Sequence, residues 1–256
     1  MDESTPPSKK FRPVAVVTAA GGMMGTAICT RLARSGYDLV VNDRRDCLEP
    51  LAERLRAEDS TVVKHLADVA TPEGAKATVE AALHDFGRID VLVNVAGGIK
   101  GPVHNPLWEI TVDQWRRTVS VNLDSAFFCI QRSARVMMKQ RSGRIVNIAS
   151  TSWAGSPLHA HYAAAKAGLI SLTRSAAQQL GPYNVTVNAI APGGTITYAA
   201  NLEGFPGPDE WKDRNPLGRP NIPEDIADAV AFLIGDGARN ISGQLLTVAG
   251  GLNPSL

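Results

Sequence analysis

Short β-branched and aliphatic runs alternate with segments of helical periodicity from one end of this chain to the other, and that alternation restricts its fold more than any other feature. Strands are expected at about 13–18, 37–42, 61–66, 90–94, 144–149, 184–190 and 244–248. Between them, helices are expected at 24–36, 48–58, 72–86, 112–139, 157–180 and 223–235. Repeated βαβ units join through right-handed crossovers, which gives a mostly parallel sheet with helices on both faces. The expected fold class is therefore α/β: a Rossmann-type, doubly wound, seven-stranded sheet.

In such a sheet the ligand site lies beyond the carboxyl ends of the strands. Gly25, Asp43, Asn94, Ser150 and Pro192 each follow an expected strand closely. The chain reads as a flexible leader over 1–11 and one domain over 12–256. A Gly- and Pro-rich stretch at about 198–220 is too long for a simple connection and is expected to form a substrate lid.

The composition narrows the function classes. With 256 residues, 44% of them hydrophobic, the chain can bury one sizeable core. A net charge of +1 gives no electrostatic footprint for nucleic acid or an anionic membrane. Cys29, Cys47 and Cys129 have no metal-ligand spacing, so they read as packing residues in a reducing compartment and no metal site is expected. The first ten residues lack the apolar core of a signal peptide, and no apolar run approaches membrane-spanning length, so a cytoplasmic location is expected.

Tyr162 and Lys166 in HYAAAKAG lie four residues apart in an Ala-rich helix, so both project from one face. An ammonium held near a phenol favours the phenolate and lowers its pKa, which makes the pair a proton-transfer device. A lone Y-x-x-x-K arises by chance in many helices, but here RIVNIAS precedes it and delivers Ser150 at a strand end. VTVNAIAPGG follows it and runs into Pro192 and Gly193.

Together with TAAGGMMG at 18–25, NVAG at 94–97, SVNL at 120–123 and PGGTIT at 192–197, these segments closely resemble the short-chain dehydrogenase/reductase family. The resemblance runs from about Arg12 to the C-terminus and is broadly of the 3-oxoacyl reductase type. It implies a dinucleotide site at the first turn, where glycines allow a tight bend and close approach to the pyrophosphate. The family pattern TGxxxGxG reads here T-A-A-G-G-M-M-G. Gly25 fits, Ala19 replaces the first glycine, and Met23 stands at the second. Either the turn reshapes around Gly21 and Gly22, or the pocket has been lost; the intact remainder of the pocket favours reshaping.

Asp43, ending the second strand, suits the adenosine ribose hydroxyls and favours NAD. Arg44 and Arg45 follow at once and leave NADP open. The resemblance further implies that Thr18 and Met24 belong to the first turn, that Asp68 and Val69 flank the adenine, and that Asn94, Ala96 and Gly97 line the adenosine side. Pro192, Gly193, Thr195 and Thr197 would lie toward the nicotinamide.

Carried over, Tyr162 is the general acid/base, Lys166 lowers its pKa and holds the nicotinamide ribose, Ser150 orients the substrate oxygen, and Asn122 anchors a relay water. Ser150 precedes Tyr162 by twelve residues where thirteen is usual, so Thr151 and Ser152 remain alternative hydroxyls. Ser152, Trp153, His159 and Tyr198 are candidate substrate contacts.

The implied activity is NAD(P)(H)-dependent interconversion of a secondary alcohol and a ketone in a homotetramer. Arg141 matches one basic position that receives an acyl carrier, but Tyr183 stands where a second is expected. A non-redox reading of the halohydrin dehalogenase kind is raised by Met23 and opposed by Lys166 and Asp43. A cofactor-sensing module is opposed by the intact tetrad.

Overall fold

The computed structural model describes residues 11–102, 104–197, 209–210 and 215–252. Its seven strands form one sheet in the order β3-β2-β1-β4-β5-β6-β7, every neighbouring pair parallel. They are β1 (Val14–Val17), β2 (Asp38–Asp43), β3 (Val62–Leu66), β4 (Val91–Asn94), β5 (Gly143–Ile148), β6 (Val185–Pro192) and β7 (Leu245–Val248). The order reverses between β1 and β4, and a reversal of this kind opens a crevice at the carboxyl ends. The central strands are apolar on both faces because helices cover both: all four residues of β1 and all eight of β6 are buried.

On one face α1 (Met23–Arg34), α2 (Glu49–Ala57) and α7 (Pro223–Ile234) bring Ile28, Leu32, Leu55, Ile226 and Val230 against Val17 and Val41. On the other, α3 (Pro72–Phe86), α5 (Ser125–Gln140) and α6 (Ala160–Leu180) set Val79, Ile130, Met137 and Leu180 against Val16, Leu92 and Ile145.

Local chemistry sets the helix ends. Thr71 caps α3 by accepting from the Gly74 N–H at 3.0 Å, and Gly87, at φ 71°, ends that helix in the left-handed region. A reciprocal Thr111–Gln114 capping box starts α4 (Val112–Val119). By contrast α1 begins at Gly22 with no side-chain cap and no acidic residue in its first turn.

One element differs from its expected form. The helix expected over 112–139 is interrupted by a π turn at Ser120–Asp124, so α4 and α5 are separate segments. Neither Gly nor Pro marks the break; the side-chain bonding of Asn122 accompanies it. Of the expected lid, most of 198–220 lies outside the described residues.

Candidate active site

Helix α6 packs on β6 and on the turn Thr151–Ala154 that follows β5, and Tyr162 and Lys166 line one recess with Ile148 and Ser150. The Tyr162 phenol and the Ser150 hydroxyl line the same recess, and Ser150 holds the phenol down against the larger rise that burial causes. Ser150 is held in turn by the Ser152 N–H, which donates to its Oγ at 3.2 Å. Thr151 and Ser152, the alternative hydroxyls, line the same recess as Ser150.

Lys166 is 2% exposed and donates from Nζ to the Ile148 carbonyl at 2.7 Å. Burial pushes its ammonium down to about 7. The expected lowering of the Tyr162 pKa by Lys166 does not appear. Burial raises the phenol, Ser150 opposes that rise, and Lys166 Nζ lies 5.6 Å from the ring centroid, bonded to a carbonyl instead.

Asn122 is fully buried in the π turn. Its Nδ2 donates to the carbonyls of Gly98 and Thr118, each at 2.8 Å, and its Oδ1 accepts from the Gly98 N–H at 3.0 Å. The amide clamps the loop after β4 to the helix and bonds a carbonyl within the π turn's reach. A Cβ on Gly97 would come 2.7 Å from Asn122 Oδ1 and 3.1 Å from Lys166 Nζ, so both polar groups converge on that glycine.

Two recesses meet at Gly97. The first, about 250 Å³, is lined by Asp43, Arg44, Asp68, Val69, Ala96 and Lys100 among others. The second, about 420 Å³, is lined by Met24, Ser150, Ser152, His159, Tyr162 and Lys166, and also by Pro192, Gly193, Thr195 and Thr197. Between them stands the uncapped start of α1, whose N–H groups and dipole suit an anion. Gly25 lies there because a Cβ would come 2.3 Å from the Ala19 carbonyl. Gly21 likewise leaves no room, since its Cβ would come 2.4 Å from Cys47 Sγ. This donor set and these bare approaches fit a dinucleotide.

Asp43, 3% exposed, accepts from the Gly21 N–H at 3.2 Å and from the Arg45 N–H at 3.0 Å, and Arg45 Nε folds onto it at 3.2 Å. Arg44 and Lys100 are the basic side chains lining that recess beside the Asp43–Arg45 pair. Burial and then the charge of Arg44 push the Lys100 pKa down.

Several expected contacts sit elsewhere. Thr18 is buried, its Oγ1 accepting from the N–H groups of Val95 and Ala96 at 3.0 and 3.1 Å; it ties β1 to the exit of β4 and touches neither recess. Asn94 donates to Asn147 Oδ1 at 2.8 Å, and Asn147 donates to Thr173, so Asn94 belongs to a buried polar chain behind the adenosine side. Trp153 packs on Ala149, Ile170 and Ala189 and lines neither recess. Met23 lines a separate cleft between α1 and α7, with Ala27, Ile196 and Ala227. Its backbone is helical, so the residue at the second-glycine position needs no positive φ; Ala19 takes that conformation, at φ 50°. Tyr198 lies outside the described residues.

Ile99, Lys100 and Cys47 were missed. The first two follow the legible NVAG segment without a pattern of their own. Cys29 and Cys129 are buried as expected, but Cys47 is exposed beside Gly21.

Residues 19–253 match the family model described as enoyl-(acyl carrier protein) reductase. The chain is 37% identical over 241 residues to the 3-oxoacyl-[acyl-carrier-protein] reductase FabG of Staphylococcus epidermidis, covering 93% of this chain and 98% of that protein. The chain belongs to the short-chain dehydrogenase/reductase family. Within it, the L-rhamnose-1-dehydrogenase of Scheffersomyces stipitis is 38% identical over 249 residues, 93% of this chain and 95% of that one. Among solved structures, an NAD+-bound xylitol dehydrogenase superposes with a TM-score of 0.85 at 32% identity, over 95% of this chain and all of that chain. The family's sheet is the one described above, a Rossmann-type doubly wound fold, and these relatives are oxidoreductases.

Proposed function

We propose that this protein is an NAD(H)-dependent oxidoreductase that interconverts a secondary alcohol and a ketone, with Tyr162 as general acid/base. The observation that carries the reading is the convergence of Tyr162, Ser150 and buried Lys166 on one recess. A substrate oxygen placed between the Tyr162 and Ser150 hydroxyls is oriented by Ser150 and exchanges its proton with Tyr162. Lys166, with its ammonium near 7, exchanges a proton close to neutral pH and so can restore the phenol. Asn122 holds the Gly97–Gly98 segment against it, the basis for the relay role carried over from the family.

A bound nicotinamide dinucleotide would supply the hydride acceptor or donor. Gly25 and the start of α1 would hold its pyrophosphate, Asp43 its adenosine ribose, and Asp68 with Val69 its adenine. Lys166 would hold the second ribose, and Thr195 and Thr197 the nicotinamide side. Asp43 supports NAD over NADP, because a phosphate beside a carboxylate brings like charges together. Arg44 and Lys100 in the same recess favour NADP as the competing reading. The dehalogenase reading loses its support, since Met23 lines the α1–α7 cleft and not the catalytic recess.

The test is Tyr162→Phe, measured on a substrate that the wild type turns over. The variant should bind NADH nearly as well as wild type and lose at least about 100-fold in kcat, since only the transferable proton is removed. Retention of more than about a tenth of the wild-type rate would refute the assignment.

A further inference from the structure

The wall of the catalytic recess beside Tyr162 is polar in a directed way. In the recess that the phenol lines, Ser150 Oγ accepts from the Ser152 N–H at 3.2 Å, and the Ser152 hydroxyl in turn lies 3.3 Å from His159 Nε2. The His159 ring meets the Tyr162 ring edge-on with centroids 5.6 Å apart. Ser152 and His159 are both half-buried and both line the recess. Facing them are the apolar side chains of Met24, Val95, Ile99 and Ile148.

We infer that Ser152 and His159 form a specificity site for a second hydroxyl, on the carbon next to the reacting one, so that the substrate class is a vicinal diol and its α-hydroxyketone. This rests on the proposed alcohol/ketone chemistry of Tyr162. An oxygen between Tyr162 and Ser150 fixes one carbon. The Ser152–His159 pair lines the same recess, with the His159 ring centroid 5.6 Å from that of Tyr162, and so is placed to meet an oxygen on the neighbouring carbon. A hydroxyl both donates and accepts, as does the pair it meets. An anionic group is disfavoured there, because Lys166 is the only Lys or Arg among the described lining residues and its Nζ is bonded to the Ile148 carbonyl. A substrate lacking the second hydroxyl would set carbon against this pair and forgo that hydrogen bond. A site built for a hydroxyl discriminates in this direction much more strongly than an apolar pocket discriminates against an added one.

The experiment compares matched substrates on the intact chain with NADH or NAD⁺: acetoin against 2-butanone, 1,2-cyclohexanediol against cyclohexanol, and a 3-oxobutanoyl N-acetylcysteamine thioester. NADH binding is followed separately by fluorescence. The hydroxylated member of each pair should have the higher kcat/KM by about tenfold or more and exceed the thioester. His159→Leu and Ser152→Ala should each collapse the ratio within a pair, mainly through KM, and His159→Gln should restore part of it. Equal or better turnover of the plain ketone or alcohol, preference for the thioester, or a ratio unchanged in His159→Leu would overturn the inference. Turnover of none of these compounds by a protein that binds NADH would also overturn it while leaving the proposed dinucleotide chemistry standing. Failure to bind NADH or NADPH at all would instead sink the proposed function on which it rests.

Discussion

Lys166 shows how one buried side chain couples stability to chemistry. Its ammonium titrates near 10.5 when solvated and near 7 in the folded protein, because burial disfavours the charged form. Between those values the unfolded chain binds more protons than the folded one, so stability rises with pH across that window. Below about 7 both states are charged and the penalty is fully present. Urea midpoints for the wild type should therefore climb between about pH 7 and pH 9, and the climb should be smaller in Lys166→Met. An identical climb in both proteins would assign the dependence to other groups. At this scale type and spacing singled out Tyr162, Lys166, Ser150 and Asp43, and all four line the recesses. They misled wherever a polar residue serves the fold. Thr18 and Asn94 carry family motifs, yet their side chains tie strands and loops together behind the recesses. No pattern in one sequence separates a residue that touches a ligand from one that aims its neighbours.

The elements were legible because hydrophobic runs and turn residues repeat on the scale of each strand and helix. The strand bounds agree to within about two residues, helped by buried runs such as those of β1 and β6. The π turn between α4 and α5 was not legible, since SVNL carries no breaker and the interruption accompanies bonds from Asn122 to a loop 24 residues away. Those bonds give an element-scale expectation. Asn122→Ala would leave the Gly98 N–H and two carbonyls without their buried partner, at a cost of about 1–3 kcal/mol for each group left unsatisfied. Urea unfolding of this variant should show a lower midpoint at unchanged m-value; a midpoint equal to wild type would mean that the loop after β4 is held by other contacts. The turn before α1 is a second case. Met23 was weighed as an intruder on the phosphate approach, but helix geometry carries it to the α1–α7 cleft, and the positive φ falls on Ala19 instead.

Across the whole molecule, order reversal between β1 and β4, an uncapped α1 and two recesses joined at Gly97 assemble one continuous crevice from six strand ends. Several large apolar side chains remain exposed on the helices outside it, among them Trp115 on α4, Phe127 on α5 and Phe232 on α7. We propose that a homotetramer covers part of this surface, and light scattering coupled to size exclusion should return about four times the 27.2 kDa chain mass. A monomer mass would refute that assembly. The central claim is that the crevice holds NAD(H) despite its altered glycine turn, and separate fluorescence titrations with NADH and NADPH test it most directly. The account predicts saturable binding of NADH, tighter than NADPH, with Met23→Gly binding as well as wild type or better. Tighter binding of NADPH would assign Arg44 and Lys100 the dominant role. No saturable binding of either would contradict the account outright.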